Sequence, residues 1–163
     1  MKRLVLIISM IWLCLPIWAG IHSYAENSVL RKGKIIKIRV SETGVHCIPY
    51  DTLKSWGLQP EQVRVLGYGG NMLSENFLLK KWDDLPSVAF YMHKGSDNTF
   101  NSGDYILFYA RGAVKWEYSG GRWRHTQHPY SLYGYYFVSD SAGEQNLITK
   151  AEPLNGDGAY TVD

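Results

Sequence analysis

Residues 105–109, Tyr105-Ile106-Leu107-Phe108-Tyr109, form the clearest β-strand pattern in this chain of 163 residues. Successive side chains of a strand point to opposite faces of its sheet, so the three odd-numbered residues share one face while Ile106 and Phe108 share the other. Both sets are apolar or aromatic, so both faces of this strand are expected to be covered. The segment is therefore predicted to be a strand in the interior of a β-rich domain.

The same period of two recurs along the chain and predicts further strands. The Ser119-Gly120-Gly121 segment closes one run and Trp123 continues after it, which predicts a hairpin. The apolar members of the runs are Ile36, Ile38 and Val40; Val63 and Val65; Val88, Phe90 and Met92; Val114, Trp116 and Tyr118; and Tyr135 and Phe137.

One short helix is predicted at about residues 50–56. Leu53 and Trp56 would face the core, and Gly57 suits the C-terminal end. No other segment has helical periodicity over a useful length. The predicted fold class is therefore all-β: a β-sandwich or jelly-roll-like domain with one short helix.

The N-terminal segment has the features of a secretory signal peptide. Two basic residues precede an almost wholly apolar run at residues 4–15, which is shorter than the roughly 20 residues of a spanning helix. A small-x-small triplet predicts cleavage after Ala25, with cleavage after Ala19, a lipoprotein signal at Cys14 or an uncleaved anchor as alternatives. The protein is expected to be exported through the Sec pathway to the periplasm, the outer membrane or the cell surface.

The mature chain is long enough for one domain. Removal of residues 1–25 from the 163 leaves 138, which suffices for a real core. We expect the β-sandwich domain to extend over residues 26–140. Residues 141–163 turn polar and rich in glycine, which predicts a linker or the start of a following domain.

The charge and the cysteines exclude some classes of function. Two of the 17 Lys and Arg and none of the 15 Asp and Glu lie in the signal segment, so the mature chain balances 15 against 15. A near-zero net charge without a basic run argues against nucleic acid as a partner. Cys47 alone remains after processing, and it is expected to be a small buried hydrophobe that points away from His46.

Several segments carry a family resemblance through their order and spacing. They are Lys37–Val45; Tyr50–Lys54; Val63–Gly67 with Gly69 and Gly70; Asp83–Pro86; Asn101–Tyr109; and Tyr130-Ser131 with Tyr133–Phe137. Together, over roughly Ser28 to Ser139, they resemble the N-terminal β domain of the PorU family, the gingipain-related sortases of the type IX secretion system in Bacteroidota.

The resemblance implies a role and a compartment, but no active site. In that family the β domain precedes a large cysteine-peptidase domain, and the full protein removes a sorting signal from cargo and joins the cargo to surface lipopolysaccharide. The family's His and Cys dyad belongs to the downstream domain, which this chain lacks, so no catalytic residue is assigned. The resemblance implies a non-catalytic accessory domain that partners a gingipain-like peptidase domain in the same or a separate chain. Other type IX secretion components are further candidate partners.

A loop rich in side-chain oxygens is the candidate metal site. Asp97, Asn101 and Asp104 could supply part of a calcium shell, which needs six to eight oxygens in a flexible loop. The spacing differs from that of an EF-hand. The alternative is an Asx-rich turn whose side chains bind local backbone groups. No other cofactor is expected.

Two adjacent carboxylates, Asp83 and Asp84, lie just before Pro86 and a strand. General acid–base pairs must converge in space on one reacting group. Neighbouring residues ahead of a proline are better explained as turn formers, which is what we expect here.

Aromatic residues support the alternative function, an exported carbohydrate-binding β-sandwich. Trp116, Tyr118 and Trp123 could form a platform on which sugars stack. Their period-two placement equally fits an aromatic core or cross-strand pairs. The sequence leaves these alternatives open.

Overall fold

The computed structural model describes residues 24–149 apart from positions 71, 73, 77, 78, 80 and 81. Within these residues the chain forms nine strands, one α-helix and two short 3-10 turns. The strands are β1 (Ile35–Val40), β2 (Gly44–Pro49), β3 (Arg64–Leu66), β4 (Ser87–Val88), β5 (Phe90–His93), β6 (Tyr105–Ala110), β7 (Val114–Ser119), β8 (Arg122–Gln127) and β9 (Gly134–Ser139). The helix α1 spans Tyr50–Ser55, and the 3-10 turns span Val29–Arg31 and Pro60–Gln62.

The strands form three antiparallel sheets. A four-stranded sheet has the order β1-β9-β3-β4, a three-stranded sheet has the order β2-β6-β5, and β7 pairs with β8 alone as a hairpin. The predicted all-β, sandwich-like fold is confirmed, and so is the hairpin around Gly120 and Gly121.

The core lies between the two larger sheets. Phe90, Phe108 and Ile106 of the three-stranded sheet are fully buried, and so are Val65 and Val138 of the four-stranded sheet. The ring of Phe108 meets the ring of Tyr136 edge to face, with centroids 5.6 Å apart. Edge-to-face packing favours the attraction between ring edge and ring face, so this pair joins the two sheets at the centre of the core.

The helix forms where the sequence predicts it. Leu53 is fully buried, and Trp56 packs partly buried against the core. Asp51 lies in the first turn, where a carboxylate interacts favourably with the helix dipole. Gly57 follows the helix with φ +70°, a left-handed conformation that glycine adopts without steric cost.

The first residues of the predicted linker lie against the sandwich. The Phe90 N–H donates to the carbonyl of Asn146 at 3.0 Å, and the Ile148 N–H donates to the carbonyl of Phe90 at 2.8 Å. Ala142 is buried. Backbone contacts with the domain therefore continue to Ile148. Residues 150–163 lie outside the described part of the chain, so a linker or a following domain there stays a prediction.

The expectation of a buried Cys47 is wrong. Cys47 is exposed, whereas its neighbour Ile48 is buried. The strand alternates as expected, and position 47 lies on the face that no described residue covers. Among the described residues, no helix is long and apolar enough to cross a membrane.

Candidate functional site

The three-stranded sheet presents one apolar face to solvent. The register of β2, β6 and β5 aligns Cys47 with Leu107 and Tyr91 on this side, and aligns His46 with Phe108 and Phe90 on the opposite, core side. We call the solvent side the outer face; its members are Val45, Cys47, Pro49, Tyr91, His93, Tyr105, Leu107 and Tyr109.

The outer face has no Asp, Glu, Lys or Arg among these members. Val45 is 69% exposed and its cross-strand partner Tyr109 is 55% exposed. On this side of β6, Tyr105 and Leu107 are half-buried, so the expectation that both faces of β6 are covered is wrong at Tyr109. A strand that is apolar on both sides, but covered on one, marks a surface suited to a partner.

The β7–β8 hairpin pairs with neither of the larger sheets. Gly120 and Gly121 have φ values of +61° and +76°, as a two-residue hairpin turn of type I′ requires. Nearly every residue of the two strands is exposed. A lone two-stranded hairpin is marginally stable in water, so its attachment to the domain matters.

One side of the hairpin carries a row of exposed rings, which we call the aromatic face: Trp116, Tyr118, Trp123 and His125. Trp116 lies opposite His125 with ring centroids 5.0 Å apart, and Tyr118 lies opposite Trp123 at 5.4 Å. The three largest rings, those of Trp116, Tyr118 and Trp123, are 58%, 64% and 66% exposed. The aromatic-core alternative is thus wrong, whereas the cross-strand pairs are present.

The opposite side of the hairpin is charged. Lys115 and Glu117 form an ion pair with an N–O distance of 2.5 Å, and both side chains are largely exposed. Arg122 and Arg124 lie on the same side, opposite Ser119 and Glu117 in the register. The hairpin therefore has an aromatic side and a polar side.

Two hydrogen bonds hold the base of the hairpin to the sandwich, and a third closes the hairpin itself. The Arg111 N–H donates to the Tyr136 hydroxyl at 2.8 Å, and the Gly112 N–H donates to the Thr43 hydroxyl at 3.0 Å. Past the end of β8, the His128 N–H donates to the carbonyl of Ala113 at 2.8 Å. The first two bonds tie the segment before β7 to the body of the domain, and the third joins the two ends of the hairpin.

Two clefts flank this base. The first, of about 300 Å³, lies where the outer face meets the aromatic face, and it is lined by Thr43, Tyr109, Arg111, Val114, Lys115 and Trp116. We call it the base cleft. The second, of about 420 Å³, is lined by residues of the polar side and of the neighbouring loop, including Gly70, Glu117, Thr126 and His128.

The three candidate calcium ligands lie together in one loop and bind one another. The Asn101 amide donates to Asp97 at 2.9 Å, and the Asn101 N–H donates to Asp104 at 2.8 Å. The Thr99 N–H donates to Asp97 at 3.0 Å, and this bond, followed by that from Asn101, lowers the pKa of Asp97. Within the described residues, no cluster of three His, Cys, Asp or Glu side chains could hold a metal. These contacts are those of an Asx-type turn, and calcium binding stays a prediction.

The Asp83–Asp84 pair contacts the N-terminal segment. The Asp84 carboxylate accepts hydrogen bonds from the Val29 N–H, from the Leu85 N–H at 2.8 Å and from the Ser28 hydroxyl at 3.1 Å. Burial raises the pKa of Asp84, but these donors lower it more, so that the pKa lies below its ordinary value. The pair therefore positions the segment just after the predicted cleavage site. The residues in contact are more than 50 positions apart, so sequence spacing did not reveal this role.

Ala25, the predicted cleavage position, lies beside the same pair. Its N–H donates to the Asp83 carboxylate. The predicted signal peptide lies outside the described residues up to position 23, and cleavage stays a prediction.

His46 and Cys47 are adjacent but lie on opposite sides of β2. The His46 Nε2 atom lies 3.1 Å from the carbonyl oxygen of Glu42, and its ring packs near Phe108. Cys47 points to the outer face. This pair is not arranged for thiol activation by the imidazole, which requires the two groups within hydrogen-bond reach.

Comparison with known proteins finds a likeness to part of a much larger protein of known structure. No family model matches the chain, and a search of the curated proteins finds no match. Among solved structures, dimeric latent PorU from Porphyromonas gingivalis is similar over 79% of this chain, with 33% sequence identity and a TM-score of 0.66. The chain spans only 11% of the length of that protein. The likeness supports a PorU-like domain.

Proposed function

We propose that this chain is a non-catalytic accessory domain of the PorU type. It docks onto a gingipain-like cysteine-peptidase domain at the cell envelope, after export through the Sec pathway. There it supports the processing and surface attachment of secreted cargo. The observation that carries the proposal is the uncovered outer face. The chain that carries this face matches a segment that makes up 11% of the length of PorU.

The outer face has the composition of an interface. Tyr91, Tyr105 and Tyr109 supply large, rigid rings, and the core of a protein interface is enriched in such residues and depleted of charge. His93 stacks on Tyr105 with centroids 4.6 Å apart, so these two rings are held in place before a partner arrives. A preorganised apolar surface loses little side-chain entropy on docking.

The position of His46 and Cys47 also favours an accessory role. The imidazole and the thiol lie on opposite sides of their strand, so this pair offers no nucleophile and base together. In the proposal, the catalytic groups belong to the partner domain.

The first experiment measures the size of the native product. An antibody against residues 26–163 is used to blot the fractionated envelope of the source cell. A band far larger than the mature chain would show one domain of a sortase-type enzyme. A band at the size of the mature chain would direct the search to a separate peptidase chain, and absence from the envelope would contradict the proposal.

The second experiment tests the docking face. Tyr109→Arg places a charge at the exposed end of the outer face, opposite Val45, whereas Tyr118→Arg changes a similarly exposed tyrosine of the hairpin. We expect Tyr109→Arg to weaken binding to the purified peptidase domain at least about tenfold, because a buried unpaired charge is costly. If both domains belong to one chain, limited proteolysis between them replaces the titration. Equal effects of the two variants, or none from Tyr109→Arg, would exclude the outer face.

A further inference from the structure

The base cleft and the aromatic face together have the features of a sugar site. A sugar ring presents a face of C–H groups and a rim of hydroxyl groups, so a site for it needs exposed aromatic rings beside hydrogen-bonding groups. We propose that a polysaccharide chain binds along the aromatic face, with one sugar unit in the base cleft. The aromatic face belongs to the hairpin, and the base cleft shares Tyr109 alone with the proposed docking face. The inference does not depend on the proposed docking.

The rings of the aromatic face are held ready for stacking. Trp116 and Trp123 each pack against a cross-strand partner, at centroid distances of 5.0 and 5.4 Å, yet more than half of each side chain is exposed. Trp116 and Tyr118 are two positions apart on one strand, which separates them by roughly 7 Å. Rings that follow one another at this spacing form a track, which suits an extended chain better than a single sugar.

The base cleft supplies the polar groups at the end of this track. The Thr43 hydroxyl accepts a hydrogen bond from the Gly112 N–H, so its own proton is free to donate to a ligand. Tyr109, which carries a hydroxyl, and Arg111, which carries a guanidinium, line the same cleft together with Trp116. A concave site with an aromatic wall and a few convergent polar groups is typical of small-ligand and sugar recognition.

The charges of the cleft favour a sugar over a lipid surface or a nucleic acid. Two cations, Lys115 and Arg111, line the cleft. Lys115 forms an ion pair with Glu117 at 2.5 Å, whereas Arg111 has no carboxylate within 4 Å among the described residues. Phosphate-rich surfaces are bound by clusters of cations. A single guanidinium beside hydroxyl groups matches sugar hydroxyls or one acidic sugar.

The experiment is affinity electrophoresis of the purified chain in native gels that contain dextran, laminarin or alginate. We expect retardation by at least one of them, with a blue shift of tryptophan fluorescence in solution. Trp123→Ala should weaken this binding at least about tenfold, and Trp123→Tyr should restore most of it because a ring remains. Arg111→Gln should weaken binding to alginate more than binding to the two neutral polysaccharides.

Trp82→Ala is the matched control, because Trp82 is 68% exposed but lies outside the hairpin. It should leave retardation unchanged. No retardation by any of the three polysaccharides would overturn the proposal, and so would equal losses in Trp82→Ala and Trp123→Ala. Binding to phosphatidylglycerol vesicles in place of the polysaccharides would assign the aromatic face to a lipid surface instead.

Discussion

The hydroxyl of Tyr136 accepts a hydrogen bond from the backbone N–H of Arg111, with an N–O distance of 2.8 Å. Tyr136 lies in β9 of the four-stranded sheet, whereas Arg111 connects β6 of the three-stranded sheet to the hairpin. Burial raises the pKa of Tyr136, although the Arg111 N–H lowers it in part. One side chain thus joins both sheets and the base of the hairpin.

Loss of the Tyr136 hydroxyl should therefore loosen the base of the hairpin. Tyr136→Phe keeps the ring contact with Phe108 but leaves the Arg111 N–H without its acceptor, which should cost about 1–3 kcal/mol in the free energy of unfolding. Chemical denaturation measures this cost. The backbone amide hydrogens of β7 and β8 should also exchange with solvent faster in the variant. Tyr135→Phe is the control, because the Tyr135 hydroxyl makes no hydrogen bond within the described residues, and its ring still faces Lys37. A similar loss of stability in both variants would contradict this role.

Gly134 should not tolerate a side chain. A Cβ atom at this position would lie 2.7 Å from the Gly70 nitrogen and closer still to the carbonyl oxygen of Arg111, and both are backbone atoms. Gly134→Ala should therefore destabilise the domain by about 1–3 kcal/mol, as overpacking does.

Gly44 provides the matched comparison at the start of another strand. A Cβ atom there meets nothing within 4 Å, so Gly44→Ala should leave stability unchanged or raise it by a few tenths of a kcal/mol. Melting temperatures of the two variants test this contrast. Equal melting temperatures would show that the backbone at Gly134 can move apart.

The Asp84 carboxylate should make stability depend on acid pH. Its pKa in the folded chain lies below the ordinary 3.8. Its contribution to stability is therefore fully present above that ordinary value and is lost as the pH falls through the folded pKa. Asp84→Asn should lower the melting temperature at neutral pH, and the difference from the wild type should shrink below about pH 4.

Glu42→Gln is the control for this pH series, because the Glu42 carboxylate makes no hydrogen bond within the described residues. The wild type and this variant should show the same decline in melting temperature with acid. The difference in melting temperature between the wild type and Asp84→Asn could instead stay constant down to pH 2. That result would show that the charge of Asp84 does not cause the loss of stability.

The loop that contains Asp97, Asn101 and Asp104 gives a direct test of calcium binding. If this loop binds calcium, the Asn101 amide must turn its oxygen towards the ion, because its nitrogen faces Asp97 in the structure. Millimolar calcium should then raise the melting temperature. A ligand that binds only the folded state raises that temperature. A rise that Asp97→Asn abolishes would establish the calcium site, with magnesium as the control ion.

Much of the fold follows from local patterns. The alternation in residues 105–109, the glycine pair at the hairpin turn and the short apolar period around Leu53 each depend on neighbours within a few positions. Such patterns predict which residues share a face, and β6, the hairpin and α1 form where these patterns place them.

The candidate surfaces depend on contacts that no local pattern contains. The alternation of β2 predicts that Cys47 and Ile48 face opposite ways, but not which of them faces the core. The rings of Trp116, Tyr118 and Trp123 share a face by sequence alone, whereas their exposure follows from the absence of a described layer against the hairpin.

The sequence by itself determined most of the strands, the helix, the hairpin turn and the residues that share a face. The structure added β2 and divided the run from Val88 to Met92 into β4 and β5 of different sheets. Only the tertiary structure decided which faces are covered, and it joined Asp84 to Val29 and Tyr136 to Arg111. The physical reason is that alternation is a property of a single strand. Burial depends on which layer packs against that strand, and residues distant in the chain determine that layer.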